Sequence, residues 1–157
     1  MSKRKDTTLA SSGSEFLVLG ELLIREIESY KTYHNQKAYD IISVNPETKR
    51  NATIQVKCKN YKNDFGFYLN SVNKICDFYV FCATQIYHYV KNDDGKRVSE
   101  LIKNNENKPR FFIMDFETTQ KYKRTDRDGS DYIQILKDAP FEEFENNWYQ
   151  IKDYLSR

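Results

Sequence analysis

Glycine and proline are scarce in this sequence, 5 and 3 among 157 residues, which excludes collagenous, linker-rich and low-complexity chains. Cysteine is also rare. Cys58, Cys76 and Cys82 are odd in number and lack metal-ligand spacing, so they read as reduced, mostly buried thiols rather than a disulfide framework. With only His34 and His88, a zinc site is not expected. No apolar run approaches the ~18 residues of a membrane span. The basic start Met1–Asp6 leads into polar Thr7, Thr8, Ser11 and Ser12, which predicts no signal peptide. A clear excess of one charge is missing too: 25 Lys+Arg against 23 Asp+Glu leave +2, which argues against nucleic-acid binding by bulk charge. What remains is a cytoplasmic globular domain of one core.

What is present is aromatic and patterned, with 12 Tyr and 10 Phe. Residues 1–12 read as a flexible basic arm and 13–157 as a single domain. Ser12 and Glu15 fit a capping box before a helix over Phe16–Ile27. Tyr39–Val44 and Ala52–Lys59 read as strands around the turn signal Asn45-Pro46-Glu47-Thr48. Further strands are expected at Phe65–Leu69, Asp77–Ala83 and Arg110–Met114, the second of them apolar enough to be buried on both faces. Ile86–Val90 extends the sheet. Lys91–Lys108 reads as a surface insertion turning at Asp93-Asp94-Gly95, with a short helix near Val98–Ile102. A short helix at Glu117–Lys123 and a charged loop at Lys121–Asp131 follow. An amphipathic helix over Phe141–Leu155, with Phe144, Trp148, Ile151 and Leu155 on one face, closes the chain. The sum is an α/β domain with a central mixed sheet flanked by helices.

The second strand carries the candidate chemistry. Ala52, Ile54, Val56 and Cys58 point one way, Thr53, Gln55, Lys57 and Lys59 the other. A hairpin about Glu47–Thr48 places Asp40 almost opposite Gln55. A carboxylate, an amide oxygen and an ammonium then share one small region. Such a trio can hold a divalent cation through hard oxygens, with a lysine beside it to orient or deprotonate a water and offset phosphate charge. The same spacing also fits a merely solvated strand face. On the first helix, Glu21 is expected to pair with Arg25 four residues on. Glu15 shares its stripe with Val18, Leu19 and Leu22, and two readings stand: a cap residue, or a carboxylate leaning over the sheet toward Asp40. Asp77, heading an apolar strand, reads as a pairing or capping residue.

The segments Gly13–Leu23, Tyr39-Asp40-Ile41-Ile42 and Ile54-Gln55-Val56-Lys57 together resemble small bacterial members of the PD-(D/E)XK nuclease superfamily. Cys76–Phe81, Arg110–Ile113 and Asn147-Trp148 with Ile151 extend the resemblance over most of residues 12–155. It implies a restriction-endonuclease-like fold and cleavage of DNA with Mg²⁺, or Mn²⁺, as cofactor. It assigns Asp40 as metal ligand, Lys57 as catalytic lysine and Glu15 as the first-helix glutamate. Gln55 stands where the motif usually has an acid, making a Q-x-K variant with one negative charge fewer. Tyr39 replaces the proline.

Two mixed basic and aromatic patches, Lys59 with Lys62 and Lys121 with Lys123, Arg124 and Arg127, are candidate phosphate contacts. The expectation is a metal-dependent DNA endonuclease without a membrane segment. Cutting both strands of a duplex would favour a homodimer. The alternative is a nuclease-fold protein that no longer cuts and binds nucleic acid or protein.

Overall fold

The structure, a computed structural model, describes residues 8–32, 39–62, 65–69, 76–102, 108–135 and 140–157. Its plan follows from one strand, β5 (Phe78–Lys91), whose first half, Phe78–Gln85, is buried throughout. The expected strands at Asp77–Ala83 and Ile86–Val90 are this single long strand. It lies in a six-stranded mixed sheet. One edge of β5 pairs in parallel with β3 (Arg50–Tyr61), which continues antiparallel to β2 (Ile41–Asn45) and β1 (Ser29–Lys31). The other edge pairs antiparallel with β7 (Arg110–Asp115) along its first half and with β6 (Arg97–Leu101) along its second.

Each face of the sheet has its own core. Ile54, Val56, Phe78, Val80 and Cys82 pack against Val18 and Leu22 of α1 (Thr8–Leu23) and Ile151 and Leu155 of α3 (Tyr149–Ser156). Tyr79, Phe81, Phe112 and Met114 face the opposite way. They are covered by a small sheet of β4 (Gly66–Leu69), β9 (Asp131–Gln134) and β8 (Arg124–Thr125), and by a 3-10 turn at Phe141–Phe144. The expected central mixed sheet flanked by helices is present. No helix among the described residues is long and apolar enough to cross a membrane.

Local chemistry explains the ends of these elements and several departures from expectation. Helix α1 begins at Thr8, so Thr8–Ser12 are helical, and Ser12 and Glu15 lie within the helix instead of forming a capping box. The helix stops in a Schellman arrangement: Ile27 N donates to Leu22 O at 3.0 Å and Glu26 N to Leu23 O at 3.0 Å, with Glu26 at φ 59°. Buried Ile27 and Leu22 make the accompanying apolar contact. Asn45 Oδ1 accepts from Glu47 N (3.0 Å) and Thr48 N (3.3 Å), which bends the β2–β3 connection as its Asn-Pro signal predicts.

Val98–Ile102 is not helical. Arg97–Leu101 returns along β5 as a strand because Gly95, at φ 73°, closes a hairpin there. The Phe65–Leu69 strand belongs to the small sheet, and the charged segment Lys121–Asp131 contains β8. The closing helix is also broken. Glu145 bridges to Phe112, and Asn146, at φ 54°, donates its N–H to Phe111 O at 2.8 Å. Phe144 therefore enters one core while Trp148, Ile151 and Leu155 enter the other. The short helix expected at Glu117–Lys123 is α2 (Phe116–Tyr122), capped by Asp115, which accepts from Thr118 N at 2.7 Å.

Asp77 pairs within the fold, as expected. Its carboxylate accepts from Thr53 N (2.7 Å), Thr53 Oγ1 (2.8 Å) and the Tyr154 hydroxyl (3.1 Å), tying β3 to α3. Arg110 grips Glu145 with two hydrogen bonds, 2.7 and 2.8 Å, holding the break in the last helix against β7. That contact keeps the Glu145 carboxyl below its usual range. A depressed carboxylate adds stability above its ordinary pKa of ~4.3 and loses it as pH falls through the lower folded value. Glu145→Gln is expected to cost about 1 kcal/mol near neutral pH, a figure reduced for partial solvent screening. Urea titrations at several pH values check this: the gap to wild type closes on the acid limb.

Candidate active site

Asp40 lies one residue before β2, and the hairpin register puts it opposite Gln55. Ile41 pairs with Ile54, Ile42 with Thr53, and Asp40 N donates to Ile54 O at 2.9 Å. The Asp40–Gln55 juxtaposition read from the turn and the alternation is therefore present. Asp40 Oδ2 accepts from the Gln55 Nε2 amide and from Val56 N, the latter at 2.8 Å. The carboxylate thus completes the edge of the ladder just where β2 has not yet begun.

Gln55 is 6% exposed, so this strand face is not simply solvated. Its neighbours across the parallel pairing explain why. Gln55 sits beside Tyr79, Lys57 beside Phe81 and Lys59 beside Ala83, all on the side covered by the small sheet. Lys57 and Lys59 are half-buried where that cover ends. The result is a cleft of about 560 Å³. Ala10, Ser11 and Glu15 of α1 line it together with Asp40, the stretch Gln55–Tyr61 of β3, and Gly66–Tyr68 of β4.

Glu15 therefore shares the cleft with Asp40, Gln55 and Lys57. Its carboxylate accepts from the Lys31 ammonium, which also stands 5.4 Å from the Phe16 ring centre. Glu21 pairs with Arg25 at 2.6 Å, as its spacing predicts. Lys31 was not legible as a site residue: it ends a three-residue strand, too short to show alternation. Tyr61 and Tyr68 were missed for a similar reason, since only the packing of β4 over β3 brings them to one cleft.

The basic candidates separate. Lys59 lines the cleft, and Lys62 is exposed just beyond β3. Tyr68 pairs with Tyr132 and Tyr132 with Arg124, so Arg124 continues a row that starts at the cleft. The rings of Tyr68 and Tyr132 are 6.1 Å apart. Lys123 is engaged by Asp131 at 2.8 Å, while Lys121 and Arg127 are exposed and do not line the cleft.

The donor set can be tested against a divalent cation. Gln55 Oε1 is buried without a hydrogen-bond partner, although its amide nitrogen faces Asp40. Half a turn about the last side-chain torsion exchanges the two atoms and sets Oε1 beside Asp40 Oδ2, giving two hard oxygens and one negative charge. No cluster of three or more His, Cys, Asp or Glu suited to a metal occurs among the described residues. The residues fit a weakly charged oxygen site, with Glu15 a further oxygen donor if it leaves Lys31. Thiol chemistry does not fit. Cys58, the cysteine that lines the cleft, has its thiol raised by burial, and burial pushes the Cys76 and Cys82 thiols up to about 11 and about 12.

No protein-family model matches the chain, and the search of curated proteins returns no match. Among solved structures, the chain is similar to that of a bacterial homing endonuclease, with a TM-score of 0.58 and 13% identity, covering 96% of each chain. At that identity the likeness shows the fold alone, a mixed sheet flanked by helices that the two chains share.

Because Asp40 Oδ2 serves the Val56 N–H, the two ways of removing its charge should differ. Asp40→Ala strands that donor and is expected to cost about 1–3 kcal/mol. Asp40→Asn, which keeps an acceptor oxygen, should cost clearly less. Equal urea midpoints for the two variants would show that the carboxylate has no part in the ladder.

Proposed function

We propose that this chain is a metal-dependent endonuclease hydrolysing DNA phosphodiester bonds, a PD-(D/E)XK-type enzyme with Gln55 at the usual acidic position. The observation that carries the reading is the meeting of Asp40, Gln55 with its unpaired buried oxygen, and Lys57 in one open cleft. The fold shared with a homing endonuclease supports it.

In this reading Asp40 and Gln55 hold Mg²⁺ or Mn²⁺, and Glu15 joins them. When bound, the ion supplies Lewis-acid polarisation of the phosphate and a water of lowered pKa. Lys57 holds the attacking water beside the phosphate and offsets the negative charge that grows there as the bond breaks. Lys59 steadies the backbone of the scissile strand, and Lys62 and Arg124 meet phosphates farther out. Tyr61, its ring stacked on Tyr89 at 4.3 Å, and Tyr68 line the cleft wall.

A second reading has its own observation. Glu15 is already paired with Lys31 and the Gln55 amide nitrogen already faces Asp40, an arrangement that suits a non-cutting module. Metal affinity and cleavage separate the two. On the nuclease reading, wild type cuts DNA with Mg²⁺ or Mn²⁺. Lys57→Ala is then expected to lose about 10²–10³-fold in rate while still binding Mn²⁺. Gln55→Glu restores a charge and should tighten Mn²⁺ binding about tenfold in calorimetry. Wild type that neither binds a divalent ion nor cuts DNA or RNA would leave the binding module as the correct reading.

A further inference from the structure

Helix α1 is apolar on two opposite faces, and only one of them is used by the fold. Val18 and Leu22 are fully buried against the sheet. On the other side Leu9 is 87% exposed, Phe16 53%, Leu17 42%, Leu23 49% and Ile24 73%. At helical spacing these positions, together with Gly13 and Gly20, fall within about 120° of one another. No charged residue of the helix falls on this face, and the one ammonium beside Phe16, that of Lys31, is paired with Glu15. Glu15 is turned to the cleft and Lys31, and Glu21 is held by Arg25.

The two glycines sharpen the question of what covers this face. A Cβ at Gly13 or Gly20 would meet nothing within 4 Å, and neither has the positive φ that requires glycine. Glycine is the poorest helix former after proline, so the single chain has no use for it at these sites. A helix that must let another backbone come close does. Within the sequence, the segments outside the described residues are each seven residues or shorter, and none has an apolar stripe to match.

We infer that the outer face of α1 is a self-association surface, packing against α1 of a second copy across a two-fold axis. The axis would pass near Phe16 and Leu17, midway between Gly13 and Gly20. An uncharged patch meets its own copy without like-charge repulsion, as an isologous contact requires. Area supports this occupant: the five exposed side chains leave roughly 500 Å² uncovered, so a pair removes about 1,000 Å², the lower bound of a specific interface. Because Ala10, Ser11 and Glu15 of the same helix line the cleft, the pairing would fix two clefts on either side of one helix pair. The inference does not rest on the cleavage chemistry.

Sedimentation velocity over the micromolar range tests it. Wild type is expected to be dimeric. Phe16→Glu with Ile24→Lys, both at exposed sites, should be monomeric with unchanged circular dichroism. Gly20→Ala is the discriminating variant. It should weaken the dimer at least about tenfold while raising the melting temperature of the isolated chain, because alanine favours the helix. A monomeric wild type, or a dimer indifferent to all three substitutions, overturns the proposal. Mn²⁺ affinity of Ile24→Lys alone, a substitution that touches neither Glu15 nor Lys31, reports separately on the cleft.

Discussion

Eight consecutive residues of β5, Phe78–Gln85, are buried, and a strand of that kind must be covered on both faces. Most of the architecture answers that demand. Helices α1 and α3 meet the even-numbered side chains, while β4, β9 and the 3-10 turn meet the odd-numbered ones. The cleft lies at the boundary of the second cover. Gln55 is under its rim, Lys57 and Lys59 emerge from it, and α1 closes the far side. A polar side chain placed there is neither solvated nor fully satisfied, which is why the Gln55 oxygen has no partner.

What could be read from the sequence was local or strictly periodic. The Asn45-Pro46 signal and the alternation of Ala52–Cys58 fixed the hairpin register, and the register brought Asp40 to Gln55. The Glu21–Arg25 pair and the buried character of β5 were equally legible. Contacts set only by tertiary cover were not. Strand β8 has two residues, both charged or polar, and no pattern announces it. The partner of Glu15 comes from Lys31 on an edge strand of three residues. The last helix has a convincing apolar period, yet Arg110 and a backbone bridge to β7 break it at Glu145–Asn146. There, two specific contacts outweighed helical propensity.

Several carboxylates have a structural task before any chemical one. Asp77 joins β3 to α3, Asp115 caps α2, and Asp40 finishes the β2–β3 ladder. The near balance of charge in the sequence thus conceals a division of labour. Glu145 and Asp131 answer nearby cations, Asp77 and Asp115 answer backbone donors, and Asp40 faces both a backbone donor and the open cleft. A residue of the last kind is placed accurately because the fold already needs it in that position.

The amide at position 55 has a consequence for how the molecule is made. A second carboxylate there would confront Asp40 at close range in a half-buried place, and the pair would have to share a proton or recruit a cation to be tolerated. The amide instead offers Asp40 a donor, and the two rest against each other as a neutral hydrogen-bonding group against a single charge. Nothing in this part of the structure needs an ion in order to form. A carboxylate already answered by an amide and a backbone N–H is held in place by the fold's own donors, unlike sites that assemble only around their ligand.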